Sequence, residues 1–209
     1  MTTNESFPKF DLPVDFIADD SITGDILNYY GNFPCKIKAG VFVLCTEGMV
    51  RATINLLEIV IRKNDFIVVL PNSFIQIHEV SSDTRISFAG FSSDFMLSGN
   101  YVEILLDFMP MILNSPVISL QEDVAGLYRN VYLLLIRAYT LPHSLENKEI
   151  IRSVLAIFLQ GTKELYKRYG KKLDEPLRRE QELYRQFIQL LMVHYTKEHE
   201  VAFYAEKCG

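Results

Sequence analysis

Two periodicities divide this chain. From Asp25 to about Phe91, branched and aromatic residues come in short runs: Ile26 to Tyr30, Cys35 to Cys45, Met49 to Leu56, Ile59 to Arg62, Phe66 to Leu70, Phe74 to His78 and Arg85 to Phe91. Turn formers separate them, at Gly31-Asn32, Glu47-Gly48, Asn64-Asp65, Pro71-Asn72-Ser73 and Ser81-Ser82-Asp83. Short β-favouring runs broken at such intervals predict the strands of an antiparallel sandwich or barrel. Between Met49 and Leu56 the alternation puts Arg51, Thr53 and Asn55 on one face and Val50, Ala52 and Ile54 on the other.

After Tyr101 the period lengthens. Tyr101 to Met111 predicts a short helix ended before Pro110, where a ring without an N–H interrupts the ladder. Gln121 to Tyr139 predicts a longer one, with Val124, Leu127, Tyr128, Val131, Leu134, Leu135 and Ala138 at helical spacing. Ser144 is placed to cap a third, from about Leu145 to Tyr169, with Glu146 and Glu149 in its early turns. Its apolar positions are Ile150, Ile151, Val154, Leu155, Phe158, Leu165 and Tyr169. Joined through Leu141-Pro142-His143, the two long helices form an antiparallel pair. Their apolar faces are wide enough to cover the strands and a second subunit as well. Residues 170 to 182 then make a charged joint with little to bury.

The tail returns to helical spacing. Leu183, Phe187, Leu190, Leu191 and His194 form one stripe, Thr196 to Glu200 is polar, and Val201, Tyr204, Ala205 and Cys208 form the next. Glu198 and Glu200 bring negative charge to the start of the second helix, where exposed N–H groups favour it. Gly209 suits a left-handed exit. Periodicity alone fits two ordinary packed helices equally well. The order of residue types, Phe187-Ile188-Gln189-Leu190-Leu191-Met192-Val193-His194-Tyr195 and then Val201-Ala202-Phe203-Tyr204-Ala205-Glu206-Lys207-Cys208-Gly209, resembles the entry to a helix-turn-helix domain of the AraC/XylS family of transcription regulators.

A second stretch resembles the cupin-like sensor barrel of the same family, over roughly residues 20 to 95. In Ile59-Val60-Ile61-Arg62-Lys63-Asn64-Asp65-Phe66-Ile67-Val68-Val69-Leu70-Pro71, Asn64 stands where the family has a glycine and Asp65 where it has an acid. Asparagine still takes a left-handed turn. Val43-Leu44-Cys45-Thr46-Glu47-Gly48 suits the family's first hairpin. The resemblance implies an α+β chain: an N-terminal cupin-like antiparallel β-barrel, an antiparallel helix pair, and the first helices of a helix-turn-helix domain. Its implied parts are residues 1–116, a sensor barrel with a short helix; 117–170, a helical dimerisation region; 171–182, a linker; and 183–209, an incomplete helix-turn-helix domain. The recognition helix, and with it the DNA-reading residues, is expected beyond Gly209.

Composition bounds the partners. The chain has 209 residues, a formal charge of -5 and 49% hydrophobic content, enough for a sizeable core without a basic footprint for nucleic acid. Lys167, Arg168, Lys171, Lys172, Arg178 and Arg179 cluster locally. They read as a solvated linker, or as phosphate contacts if a reader domain sits beside them. No apolar run is long enough to span a bilayer, and Met1-Thr2-Thr3-Asn4-Glu5 has no signal-peptide pattern, so a cytoplasmic location is expected. Cys35, Cys45 and Cys208 lack metal spacing and read as reduced, small buried side chains.

Candidate chemistry is that of binding rather than catalysis. A metal-dependent cupin needs a His-x-His pair with further ligands, whereas the strand region holds His78 beside Glu79. His143, His194 and His199 lack a His-Glu-x-x-His arrangement, and no nucleophile elbow, phosphate loop or dinucleotide fingerprint is present. No catalytic residue, metal or cofactor is expected. For a ligand, alternation offers Arg51, Thr53 and Asn55 as one wall and Phe74, Gln76 and His78 as another, unless these faces meet solvent; Phe74 reads as core. For a homodimer the candidates are Leu127, Val131, Leu134, Leu135, Val154 and Phe158. The resemblance implies the ligand-sensing and dimerising portion of a regulator that meets promoter DNA through the full-length protein, with a small-molecule effector shifting the placement of paired readers. Two alternatives stay open: a metal-dependent cupin enzyme acting on a small sugar or acid, and an effector-free dimerisation module.

Overall fold

The computed structural model describes residues 9–29, 31, 34–97, 101–140, 148–170 and 197–208, with the single positions 179, 183, 186, 187, 190 and 194. Among these the chain is α+β. Its strands are β1 (Lys9–Phe10), β2 (Phe16–Thr23), β3 (Cys35–Ile37), β4 (Gly40–Glu47), β5 (Met49–Ile54), β6 (Leu57–Arg62), β7 (Asp65–Val69), β8 (Ser73–Val80), β9 (Arg85–Phe91) and β10 (Val117–Ser119). The helices are α1 (Gly24–Tyr29), α2 (Ser93–Leu97), α3 (Tyr101–Asn114), α4 (Glu122–Thr140), α5 (Lys148–Tyr169) and α6 (Val201–Cys208).

The strands make two five-stranded sheets. An outer sheet runs β1-β3-β8-β5-β6 and a central sheet runs β10-β7-β4-β9-β2. Pairing is antiparallel throughout except between β1 and β3, which run parallel. Side chains from both sheets meet in one apolar cluster that includes Val50, Ala52, Ile54 and Ile61 from the outer sheet and Cys45, Ile67, Val69 and Ile86 from the central one. The other face of the central sheet carries a second cluster, where Phe42, Phe66, Ala89 and Ile118 pack under Tyr128, Tyr132, Leu155 and Phe158.

Strand β7 shows why its residues are what they are. Every position from Asp65 to Val69 is buried. With a period of two, Phe66 and Val68 enter the helix-side cluster while Ile67 and Val69 enter the sheet-side one. A strand covered on both faces must read as a continuous apolar run, as Phe66-Ile67-Val68-Val69-Leu70 does. Strand β4 repeats the device: Phe42 and Leu44 face the helices, Val43 and Cys45 the outer sheet.

The helix layer is keyed by Phe158. Its ring lies 5.0 Å from Phe42, 6.2 Å from Phe66, 5.8 Å from Tyr128 and 5.7 Å from Tyr132, mostly edge to face. Such aromatic pairs add about 0.5–1.5 kcal/mol each beyond their area burial. Tyr128 lies against Gly161 and bonds Thr162 while Tyr132 meets Phe158, so α4 and α5 run antiparallel, as their spacing predicts. The Tyr166 hydroxyl donates to the Pro116 carbonyl at 3.0 Å and ties α5 to the start of β10.

Several sequence expectations need correction. Ile26 to Tyr30 is not a strand: Gly24–Tyr29 is helical, with Asp25 in the first turn, where its charge suits the exposed amides. The strand lies just before it, Phe16–Thr23, and pairs with β9 through a register shift between Asp19 and Ile22; the Asp19-Asp20 pair masks its alternation. The run Cys35 to Cys45 breaks at Lys38-Ala39 and serves both sheets. Helix α3 continues through Pro110 to Asn114 because Phe108 and Ile112, on either side of the proline, are both buried. The expected barrel takes the form of two facing sheets, with β1, β6, β10 and β2 at their edges. The Leu141-Pro142-His143 connection, the Ser144 cap and most of the 170–182 joint lie outside the described residues.

Turn chemistry is as the residue types require. Asn64 has φ 69°, the left-handed turn expected of an asparagine in a glycine's place, and Gly48 has φ 78°. A Cβ on Gly48 would also lie 2.5 Å from Thr84 Cα. Gly48→Ala is therefore expected to cost about 3 kcal/mol, joining left-handed strain to a backbone clash. Gly126, on α4, where an added Cβ would meet nothing within 4 Å, takes the opposite sign. Its change to alanine should gain about 1 kcal/mol. Urea denaturation of the two variants checks both signs.

Candidate functional site

The alternation of β5 decides where a ligand site lies. Val50, Ala52 and Ile54 are buried between the sheets, and Arg51 and Thr53 point away from them. The same inward rows from β4, β6, β7, β8 and β9, with Leu27 from α1, leave a partly open cavity of about 90 Å³. Its lining is valine, isoleucine, leucine and the single alanine Ala52, and the accessible wall carries no polar atom. Ala52 is the smallest side chain in the row and thus helps to leave the space. A cavity of this size whose wall offers water no hydrogen-bonding partner is suited to an apolar guest.

The six sequence-predicted ligand residues lie elsewhere. Arg51 is on the outer face, 3.2 Å from Glu79, an exposed pair worth at most about 1 kcal/mol. Thr53 Oγ1 and His78 Nε2 are 2.7 Å apart on the same face. Gln76 is opposite Thr53 in the ladder. Phe74, expected in the core, is 39% exposed, with Lys36 Nζ 5.8 Å from its ring centre. Asn55 occupies the β5–β6 turn at φ 47°; its Nδ2 donates to Ser73 Oγ at 3.0 Å and its Oδ1 accepts from Phe74 N at 2.9 Å. The outer sheet thus gathers these residues on or beside its exposed face, and the cavity wall is made by their apolar alternates. A signal existed: of the two faces of β5, the small apolar one is the one that can be buried.

A β-bulge explains the end of β8. Arg51 pairs with Glu79 and Ala52 with Ile77, so His78 is the extra residue. Both His78 and Glu79 are exposed as a result, each with its own partner. Among the described residues no group of three or more His, Cys, Asp or Glu is placed to hold a metal ion.

The dimerisation candidates separate into two groups. Leu135 and Phe158 are 1% and 2% exposed, filled into the helix-side core, and have no surface left for a second copy. Val131 and Val154 are half-buried against that core. Leu127 and Leu134 are 61% and 53% exposed on α4. Sequence reasoning missed Ile157, an exposed apolar residue of α5, because one position cannot reveal its face. The helix stripe marks apolar spacing without saying which flank meets the sheet.

The tail has its own packing. Tyr204 is buried, its hydroxyl donates to the Glu198 carbonyl at 2.6 Å, and its ring lies 5.7 Å from Phe187 and 5.2 Å from Phe203. Phe203 also meets His194 at 5.2 Å. Among the described residues Tyr204 belongs to neither of the two upstream clusters. Among the described residues no helix is long and apolar enough to cross a membrane.

No family model matches the chain. No curated protein matches it either. Among solved structures, the AraC-like transcriptional activator CuxR is similar at 9% identity and a TM-score of 0.45, over 83% of this chain and 57% of its own. ToxT from Vibrio cholerae is similar at 12% identity and 0.40, over 92% and 70%. The EutQ protein of Clostridium difficile is similar at 13% and 0.28, over 40% and 67%. The chain therefore spans less than two thirds of the CuxR chain. Likeness at these scores assigns neither family nor function, and both rest on the residues themselves.

The titration of the cavity's neighbour gives a check on the packing. Cys45 is fully buried, and burial, aided by the charge of Asp65, pushes its thiol up to about 11. A folded pKa above the unfolded value of about 8.5 favours the native state at lower pH. That contribution is complete below about 8.5 and is lost as pH rises through about 11. At pH 8 native Cys45 should resist iodoacetamide and react once the chain is unfolded in urea; mass spectrometry of the alkylated peptide reads the difference.

Proposed function

We propose that this chain is the ligand-sensing and dimerising portion of an AraC-family DNA-binding transcription regulator that acts in the cytoplasm without catalysing a reaction. The observation that carries the reading is the tail: Phe187 and Phe203 both pack on Tyr204, which among the described residues is outside both upstream cores. A wall of the sensor would have shared its core. A separately packed start of a helix-turn-helix domain needs its own, as the residue order from Leu183 to Gly209 implies. In this reading residues 1–116 sense, 117–170 dimerise, 171–182 link and 183–209 begin the reader.

The apolar cavity between the sheets supports an effector over a merely structural module. A filled core would leave no such space, and the effector would act by favouring one arrangement of sheets and helices. Leu127 and Leu134 support a homodimer: seven residues apart, they are exposed on one flank of α4 at the repeat of paired helices, while Val124 and Val131 pack on the chain's own core. The dimer would set the spacing of two readers on neighbouring half-sites.

The test uses sedimentation and gel shift together. The chain should sediment as a dimer, Leu127→Lys with Leu134→Lys should make it monomeric without lowering its melting temperature, and residues 1–209 should give no sequence-selective shift of promoter DNA. Extending the gene product past Gly209 should confer that shift, and the double variant should weaken it at least tenfold. Tight selective binding by residues 1–209, or a monomer before any substitution, would contradict the reading.

A further inference from the structure

Beside the cavity the two sheets part. Strand β6 ends the outer sheet and β10 ends the central one, and an open groove of about 300 Å³ lies between them. Ile59 of β6 and Val117 of β10 give it apolar flanks; Glu58, Asp65, Ser115 and Ser119 give it polar ones. The ladders set groove beside cavity. Ile59 pairs with Ala52 and Val117 with Ile67, and Ala52 and Ile67 both line the cavity. The two spaces are one ladder position apart, and together they reach the lower range of ligand pockets, about 300–1,000 Å³.

Charge on the groove has one sign. Glu58 and Asp65 are its charged side chains, and among the described residues no Lys, Arg or His lines it. Asp65 is buried and fixed: it accepts from Arg62 N at 2.7 Å and from Ser119 Oγ at 2.6 Å. A carboxylate has about four acceptor positions, so capacity remains for a ligand. Glu58 is exposed at the rim. Of the cations next in the chain, Lys63 is 3.7 Å from Glu122, and Arg62 is exposed. A carboxylate ligand would meet like charge at this mouth, whereas an ammonium would meet acceptors.

We propose that groove and cavity form one site for a small amphipathic amine. Its alkyl chain passes Ile59 and Val117 into the space beside Ala52, and its ammonium stays at the mouth with Glu58 and Asp65. This deepens the sensing reading by naming the effector's chemistry, and rests on that reading for its regulatory meaning.

Isothermal titration of the full chain at pH 7 with n-butylamine, n-hexylamine, n-octylamine, n-hexanol and hexanoate tests it. Amine affinity should rise about fourfold per added CH₂. Hexylamine should bind at least tenfold tighter than hexanoate, with hexanol between them. Glu58→Lys should reverse the order of head groups, and Ala52→Leu should flatten the dependence on chain length. Glu58 is at an exposed edge, so its variant keeps the test decisive if Ala52→Leu fails to fold. Hexanoate binding as tightly as hexylamine would overturn the amine assignment; if that binding were lost in Ala52→Leu, the sensing reading would stand. No binding by any of the five, or affinity indifferent to chain length, would overturn the site itself. The regulator reading would still be judged separately by its gel shift.

Discussion

Burial of β7 on both faces is the constraint from which the rest follows. A strand with one apolar face needs one covering layer; β7 and β4 need two, and the chain supplies an outer sheet on one side and α3, α4 and α5 on the other. The helices are therefore not appended to a finished sandwich. Phe158 touches Phe42 and Phe66, which belong to the same strands as Val43 and Ile67 at the cavity wall. What fills the cavity and what holds the helices meet across a single strand's thickness.

That arrangement gives the proposed sensing a physical route. A guest between the sheets presses on Ile67 and Val69, whose neighbours Phe66 and Val68 support α4 and α5. Close-packed interiors pass on such displacement because they have little free volume to absorb it. Leu127 and Leu134 are exposed on α4, where a change in helix position would reach the partner of the proposed dimer. In the proposed amine site, the acidic mouth between β6 and β10 would add chemical selection to a cavity that by itself distinguishes only size.

Much of the fold was legible because both periods are strong. The continuous run Phe66 to Leu70, the alternation of β5, and the helical stripe from Val124 to Ala138 each mark an element and its type. Pro110 misled because a local rule was weighed without knowing that Phe108 and Ile112 would both be buried. The site was read less well. Alternation divides Arg51 and Thr53 from Val50 and Ala52, and the apolar set is the one that can be buried, but an expectation of polar ligand contacts favoured the outer set. Nothing in one strand's sequence shows that β6 and β10, far apart in the chain, will end two different sheets and leave a groove. That feature belongs to topology, as does the bulge that turns Glu79 outward beside His78.

The most direct test of the central claim is native-state hydrogen exchange compared between β7 and the middle of α5. If the doubly buried strand binds both cores into one cooperative unit, amides of Phe66 to Val69 and of Leu155 to Leu159 will exchange with the same free energy, equal to that of global unfolding. Exchange of the α5 amides through a separate, lower-energy opening, with β7 still protected, would show that the helices detach on their own and would contradict the account.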